Sequence, residues 1–60
     1  MHVRRLRESK GLTQYRLAIN MGVDRTHLSA IENGTSEPSL SYIKRLADTF
    51  EIDVKELFNF

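Results

Sequence analysis

Sixty residues suffice for one small domain, and the apolar residues, 40% of the chain, are too scattered to form a membrane-spanning run. Cysteine is absent and there are only two histidines, which excludes disulfides, thiolate metal sites and a structural zinc site. The formal net charge of +1 is unevenly placed: residues 1–31 hold six basic and two acidic side chains (+4), and residues 32–60 hold three basic and six acidic ones (−3).

The N-terminal segment predicts a short first helix. Val3 and Leu6 give it a narrow apolar edge, and Lys10 and Gly11 mark its end. Its basic residues are not followed by the apolar core of a secretory signal. We therefore expect a cytoplasmic protein with a single domain over residues 1–60.

The stretch from Thr13 to Gly34 has the pattern of two short helices joined by a tight turn. Thr13 is suited to cap helix 2, which is expected to reach about Asn20, and Asp24 is suited to cap helix 3. Between them Gly22 supplies the positive φ that a chain leaving one helix for another needs. One apolar seam at spacings of three and four joins the two helices: Leu17, Met21, Val23, Leu28 and Ile31. The pattern is that of a helix-turn-helix.

The C-terminal half predicts two further helices. Ser39 is suited to cap a fourth helix, whose apolar residues recur every three or four positions: Leu40, Ile43, Leu46, Ala47 and Phe50. Asp53 with Glu56 predicts a capping box for a last short helix. Because no strand-like alternation occurs anywhere, the sequence predicts an all-α fold, a compact five-helix bundle containing the helix-turn-helix.

Several short motifs along the chain form a combination typical of one family. They are L-R-x-x-K-G-L-T-Q in Leu6 to Gln14, L-A in Leu17 and Ala18, G-V in Gly22 and Val23, I-E-N-G in Ile31 to Gly34, P-S-L in Pro38 to Leu40, and E-L-F in Glu56 to Phe58. With them nearly the whole chain resembles the helix-turn-helix domain of phage repressors and Cro proteins, also called the xenobiotic response element (XRE) family. The resemblance implies a lambda-repressor-like DNA-binding domain.

In this family the second helix of the motif lies in the major groove and its first residues reach base edges. The resemblance implies a transcriptional regulator, expected to be a repressor, that reads a short palindromic operator in double-stranded DNA with helix 3. Arg25 is expected to be the chief reader, because a guanidinium can bond bidentately to guanine. The other residues expected to contact DNA from this helix are Thr26, His27, Ser29 and Ala30. For His27, an exposed position without a role stays open as an alternative.

Contacts to the DNA backbone are expected mainly from the start of helix 2. The family uses a glutamine at the position of Gln14 to bond a phosphate, and a helix N-terminus favours an anion there. Tyr15 and Arg16 lie in the same first turn, and Ser36 lies in the loop after helix 3. The basic N-terminal half suits a polyanion.

The resemblance also implies two structural features. Arg7 of helix 1 is expected to form a partly buried ion pair with Glu32, which ends helix 3. Since one recognition helix covers only a few base pairs, a homodimer is expected. Its interface is expected among apolar residues near the C-terminus: Phe50, Ile52, Phe58 and Phe60. That these residues merely close a small core stays open, except for Phe60.

The sequence also allows one alternative function, a protein–protein interaction module with the same fold. The near-neutral net charge favours it, whereas Arg25 and Gln14 favour DNA. An enzyme is not expected, because the chain has no cysteine nucleophile and no glycine-rich phosphate loop. No cofactor, metal ion, membrane or small-molecule effector is expected.

Overall fold

The computed structural model describes residues 1–58. It contains four α-helices, α1 (Val3–Ser9), α2 (Gln14–Met21), α3 (Arg25–Asn33) and α4 (Leu40–Phe50), and then one turn of 3₁₀ helix, Val54–Leu57. None of the helices within residues 1–58 has the length and apolar character needed to cross a membrane.

The all-α prediction is confirmed, but the prediction of five helices is wrong. The final segment closes i to i+3 hydrogen bonds, such as the one from the Phe58 N–H to the Lys55 carbonyl oxygen at 3.1 Å. Four residues are too few to propagate an α-helix, so the tighter 3₁₀ turn forms instead. The Glu56 carboxylate accepts a hydrogen bond from the Asp53 N–H at 2.9 Å and fixes the start of this turn.

The predicted caps are present at α2 and α4. Thr13 Oγ1 accepts from the Arg16 N–H at 3.0 Å, and Ser39 Oγ accepts from the Tyr42 N–H at 3.2 Å. Asp24 occupies the N-cap position of α3, but its side chain makes no capping hydrogen bond, which corrects the expectation of a bonded cap. Its carboxylate acts there only through its charge at the positive end of the helix dipole.

The turn between α2 and α3 depends on Gly22. Its φ is 70°, and the Val23 N–H donates to the Ala18 carbonyl oxygen at 3.0 Å, which closes the end of α2. A Cβ at Gly22 would meet open space, so the requirement for glycine is torsional rather than steric. This turn sets α3 across α2.

One leucine from each of α2, α3, α4 and the 3₁₀ turn is fully buried: Leu17, Leu28, Leu46 and Leu57. The predicted seam is confirmed, since four of its members are buried and Val23 packs against the core partly buried. Tight burial on one side of α3 leaves its opposite side exposed.

The structure also places the residues expected at a dimer interface. Phe50 is only 4% exposed and belongs to the core, because the apolar stripe of α4 packs against the rest of the same chain. Phe50 is therefore not available to the expected dimer interface. Ile52 is half-buried and packs against the same core, whereas Phe58 is 53% exposed. Phe60 lies outside the described residues.

Candidate nucleic-acid interface

An open groove of about 460 Å³ runs along the exposed side of α3 and past the start of α2. Five of the nine residues predicted to contact DNA line it: Gln14, Arg25, Thr26, Ser29 and Ala30. The α3 members form two adjacent pairs, Arg25–Thr26 and Ser29–Ala30, one helical turn apart, so they lie on one face. The buried Leu28 and Ile31 lie on the opposite face. The helix-turn-helix therefore brings polar side chains from two helices together on one surface.

Asn33 and Thr35 also line this groove, and sequence reasoning missed them. Asn33 follows Ser29 by four residues, so helical periodicity could have placed it on the same face. Thr35 returns to the groove because α3 ends at Gly34, whose φ is 78°. The Thr35 hydroxyl and N–H both donate to the Ala30 carbonyl oxygen, at 3.2 and 3.0 Å. In the sequence, the glycine that ends α3 could have indicated that the chain turns back at Thr35.

His27 is not among the residues that line the groove. Its ring stacks on that of Tyr42 in α4, with centroids 5.2 Å apart and planes at 22°. Burial raises the pKa of the Tyr42 hydroxyl, and the charge of Glu32 adds to the effect. This hydroxyl is buried without a hydrogen-bond partner among residues 1–58. The stack joins α3 to α4 beside the groove.

Three other predicted contacts lie outside the groove. Tyr15 is 62% exposed, and Arg16 is exposed in the same first turn of α2. Ser36 is half-buried and lines a separate groove together with Ile31 and Pro38. In the loop after α3, Thr35 thus lines the groove beside α3, and the next residue, Ser36, lines the separate groove.

Behind the groove, Arg7 of α1 forms an ion pair with Glu32 of α3. Arg7 Nε lies 2.8 Å from Glu32 Oε2, and Arg7 Nη2 donates to Glu32 Oε1 at 3.1 Å. A third bond runs from Arg7 Nη1 to the Leu12 carbonyl oxygen at 2.9 Å. The Glu32 side chain is fully covered and that of Arg7 is 11% exposed. The bidentate geometry fixes the end of α3 against α1.

The same carboxylate orients Gln14. Gln14 Nε2 donates to Glu32 Oε1 at 3.1 Å. Because an ionised carboxylate only accepts hydrogen bonds, the amide nitrogen must face Glu32 and the flipped amide is disfavoured. One amide N–H and the amide oxygen of Gln14 are left for the groove.

Arg4 approaches this cluster from the exposed side of α1. Its Nε lies 3.5 Å from Glu32 Oε1, and its Nη2 donates to Asn33 Oδ1 at 2.7 Å. Two arginines therefore surround one buried carboxylate.

Glu32 is ionised at neutral pH in this environment. Burial raises the pKa of its carboxyl, but the hydrogen bonds from Arg7 and Gln14 and the charge of Arg7 outweigh burial and lower the pKa below its usual range. The hydrogen bond to Glu32 likewise raises the pKa of the Arg7 guanidinium. Within residues 1–58, no cluster of three or more histidine, aspartate or glutamate side chains could hold a metal ion.

Comparison with known proteins agrees with this geometry. A family model described as helix-turn-helix matches residues 3–57. The chain belongs to the XRE-type helix-turn-helix family. This confirms the resemblance seen in the sequence motifs, and membership of this family also confirms that the chain is not an enzyme.

Two relatives in this family are of quite different lengths. The HTH-type transcriptional regulator SlrR of Bacillus subtilis (strain 168) is 36% identical over 58 residues, which cover 95% of this chain and 38% of SlrR. Control protein C.BamHI of Bacillus amyloliquefaciens is 36% identical over 59 residues, which cover 97% of this chain and 73% of that protein. The helix-turn-helix domain thus spans less than half of SlrR but most of C.BamHI.

Proposed function

We propose that this protein is a DNA-binding transcriptional regulator, acting as a repressor, that inserts α3 into the major groove of a short palindromic operator. The observation that carries the proposal is the groove that unites the exposed face of α3 with Gln14 of α2. Membership of the XRE-type family supports it. SlrR is named a transcriptional regulator and C.BamHI a control protein, which supports a regulatory role.

In this proposal the first two turns of α3 read base edges. Arg25 is exposed at the first position of the helix, and its guanidinium bonds to guanine O6 and N7, worth about 1–3 kcal/mol of discrimination. Thr26 and Ser29 supply hydroxyls that bond to bases or phosphates. The Ala30 methyl packs against a thymine methyl.

The backbone phosphates are bound at the start of α2. Gln14 offers its remaining amide N–H, and the N-terminal end of the α2 dipole favours an anion at the same point. Tyr15 and Arg16, both exposed in this turn, reach neighbouring phosphates. We assign no DNA contact to His27 or to Ser36, because the first stacks on Tyr42 and the second lines another groove.

The functional unit in this proposal is a homodimer in the cytoplasm. Two copies of α3 related by a two-fold axis would read half-sites about one helical turn, roughly 34–36 Å, apart. Ile52, Phe58 and Phe60 form the proposed interface, and Phe58 offers the largest exposed apolar side chain among its described members. No cofactor or small-molecule effector is part of the proposal.

Selection from a random double-stranded DNA library tests this function. The wild type, Arg25→Ala and the control Lys44→Ala, which alters a cation of α4 outside the groove, are compared at two salt concentrations. We expect the wild type and the control to enrich the same palindrome. Arg25→Ala should lose the preference at one guanine in each half-site.

Three results would each contradict a part of the proposal. If the folded wild type enriches no sequence at low salt, sequence-specific DNA binding is excluded and a protein–protein interaction module takes its place. If the enriched site is a single half-site without two-fold symmetry, the homodimer hypothesis is wrong. Unchanged enrichment by Arg25→Ala would remove Arg25 as the base reader.

A further inference from the structure

We propose that Arg4 of α1 binds a DNA phosphate at the edge of the groove, so that the interface extends beyond the helix-turn-helix onto the first helix. The inference rests on the proposed DNA binding. Sequence motifs gave no reason to choose Arg4 over the other basic residues of the N-terminal half. The choice comes from the contacts that its guanidinium makes.

The first argument is position. Arg4 Nη2 donates to Asn33 Oδ1 at 2.7 Å, and Asn33 lines the groove. The Arg4 guanidinium therefore lies beside the last turn of α3, at the edge of the groove, while Arg4 itself lines a neighbouring pocket with Glu32. Its side chain is 52% exposed, whereas that of Arg7 is 11% exposed. Arg4 is accessible to a ligand in the groove and Arg7 is not.

The second argument is charge. Glu32 carries one negative charge and is bound bidentately by Arg7, which neutralises it at close range. Arg4 lies 3.5 Å from the same carboxylate, so the three side chains together keep an excess of one positive charge. Apart from Arg25, the residues that line the groove carry no formal charge. The excess at Arg4 supplies the groove with a second cation at its opposite end.

The third argument is the geometry of the donors. A guanidinium carries five N–H groups in a planar fork. Arg4 directs Nε towards Glu32 and one Nη2 N–H to Asn33, and these two contacts use only two of the five N–H groups. Asn33 and Glu32 hold the fork in place before DNA arrives, which lowers the entropic cost of binding a phosphate.

Salt dependence of DNA binding separates a phosphate contact from a structural role. The probe is a mixed-sequence duplex of about 20 base pairs, long enough for two half-sites. Affinity is measured across a salt series for the wild type, Arg4→Gln, Arg4→Lys and the matched control Lys44→Gln. Thermal unfolding of each variant checks that it is folded at the temperature used.

We expect Arg4→Gln to bind more weakly and to flatten the plot of log affinity against log salt by about 0.9 for each phosphate that it no longer neutralises. Arg4→Lys keeps the charge and should restore most of the slope. Lys44→Gln removes the same charge elsewhere and should leave the slope unchanged.

Three results would overturn the inference. If Arg4→Gln gives the same salt slope as the wild type, Arg4 contacts no phosphate. DNA binding by the wild-type protein would still support the proposed function in that case. Weaker binding at an unchanged slope, not restored by lysine, would assign Arg4 a structural role only. Failure of the wild type to bind the duplex at low salt would overturn the inference and the proposed function together.

Discussion

Glu32 connects three helices through one side chain. Its carboxylate accepts hydrogen bonds from Arg7 of α1 and Gln14 of α2, and it belongs to α3 itself. The resemblance implied the pair with Arg7, whereas Gln14 was expected only as a phosphate contact. A sequence does not show that the start of α2 faces the end of α3, because that contact depends on the angle at which the two helices pack.

Removing Arg7, the more buried of the two arginines around Glu32, tests the energetic role of this cluster. We expect Arg7→Met to lower the free energy of unfolding by about 3–5 kcal/mol, because Glu32 would keep a buried charge without its principal partner. The double variant Arg7→Met, Glu32→Met should recover much of the loss, since it buries no charge. Urea unfolding of both variants measures the difference. A double variant no more stable than Arg7→Met would mean that the buried charge is not the cause.

The lowered pKa of Glu32 predicts how stability depends on pH. The folded protein holds this carboxyl below its ordinary pKa of 4.5, so ionisation stabilises the fold fully above that value. The contribution is lost as the pH falls below 4.5 and through the lower pKa of the folded state. Thermal unfolding between pH 7 and pH 2 should show a steeper loss for the wild type than for Glu32→Gln. Parallel curves would contradict the assignment.

At the scale of elements, α4 ends at an unusual residue. Glu51 adopts φ 59° and ψ 45°, the left-handed conformation that helix ends normally give to glycine or asparagine. The Ile52 N–H donates to the Ala47 carbonyl oxygen at 3.0 Å, so this turn closes the helix as those at Gly22 and Gly34 close α2 and α3. The Cβ of Glu51 makes the conformation costly.

Replacing this residue should stabilise the protein. We expect Glu51→Gly to raise the free energy of unfolding by about 0.5–1 kcal/mol, because glycine adopts the left-handed conformation without steric cost. Glu51→Ala is the control, since it removes the same negative charge from the helix C-terminus but keeps a Cβ. Thermal unfolding compares the two. An equal gain in both would assign the effect to charge instead.

At the scale of the whole molecule, stability depends on a very small core. Chains of about 60 residues bury only about 60% of their unfolded surface, and this one has no disulfide to help. The four fully buried leucines each come from a different element, so each joins that element to the rest. Losing one of them should therefore loosen the whole domain, including the groove.

A pair of identical substitutions measures this dependence. We expect Leu28→Ala to cost about 2–5 kcal/mol, enough to unfold a marginally stable domain on modest warming. Leu40→Ala makes the same change at a residue that is 85% exposed and should shift stability by less than about 0.5 kcal/mol. Circular dichroism during heating compares the two. Similar effects at both positions would contradict the described core.

Local patterns in the sequence were enough to predict the α-helices and the helix-turn-helix. Apolar spacing, Thr13, Ser39 and the turn at Gly22 act over a few residues, through sterics and short hydrogen bonds that do not depend on distant parts of the chain. The last segment was too short for such patterns to distinguish an α-helix from a 3₁₀ turn. The combination of motifs indicated the family because its pieces recur at fixed positions along nearly the whole chain.

The sequence by itself therefore determined the helices, the connecting turn and the face of α3 that carries Arg25. Only the tertiary structure decided that Phe50 turns into the core, that His27 stacks on Tyr42, and that Arg4 of α1 bonds to Asn33 of α3. The physical reason is that these contacts join residues far apart in the sequence. These contacts join different elements, and their partners are set by the angles at which helices pack around one small core.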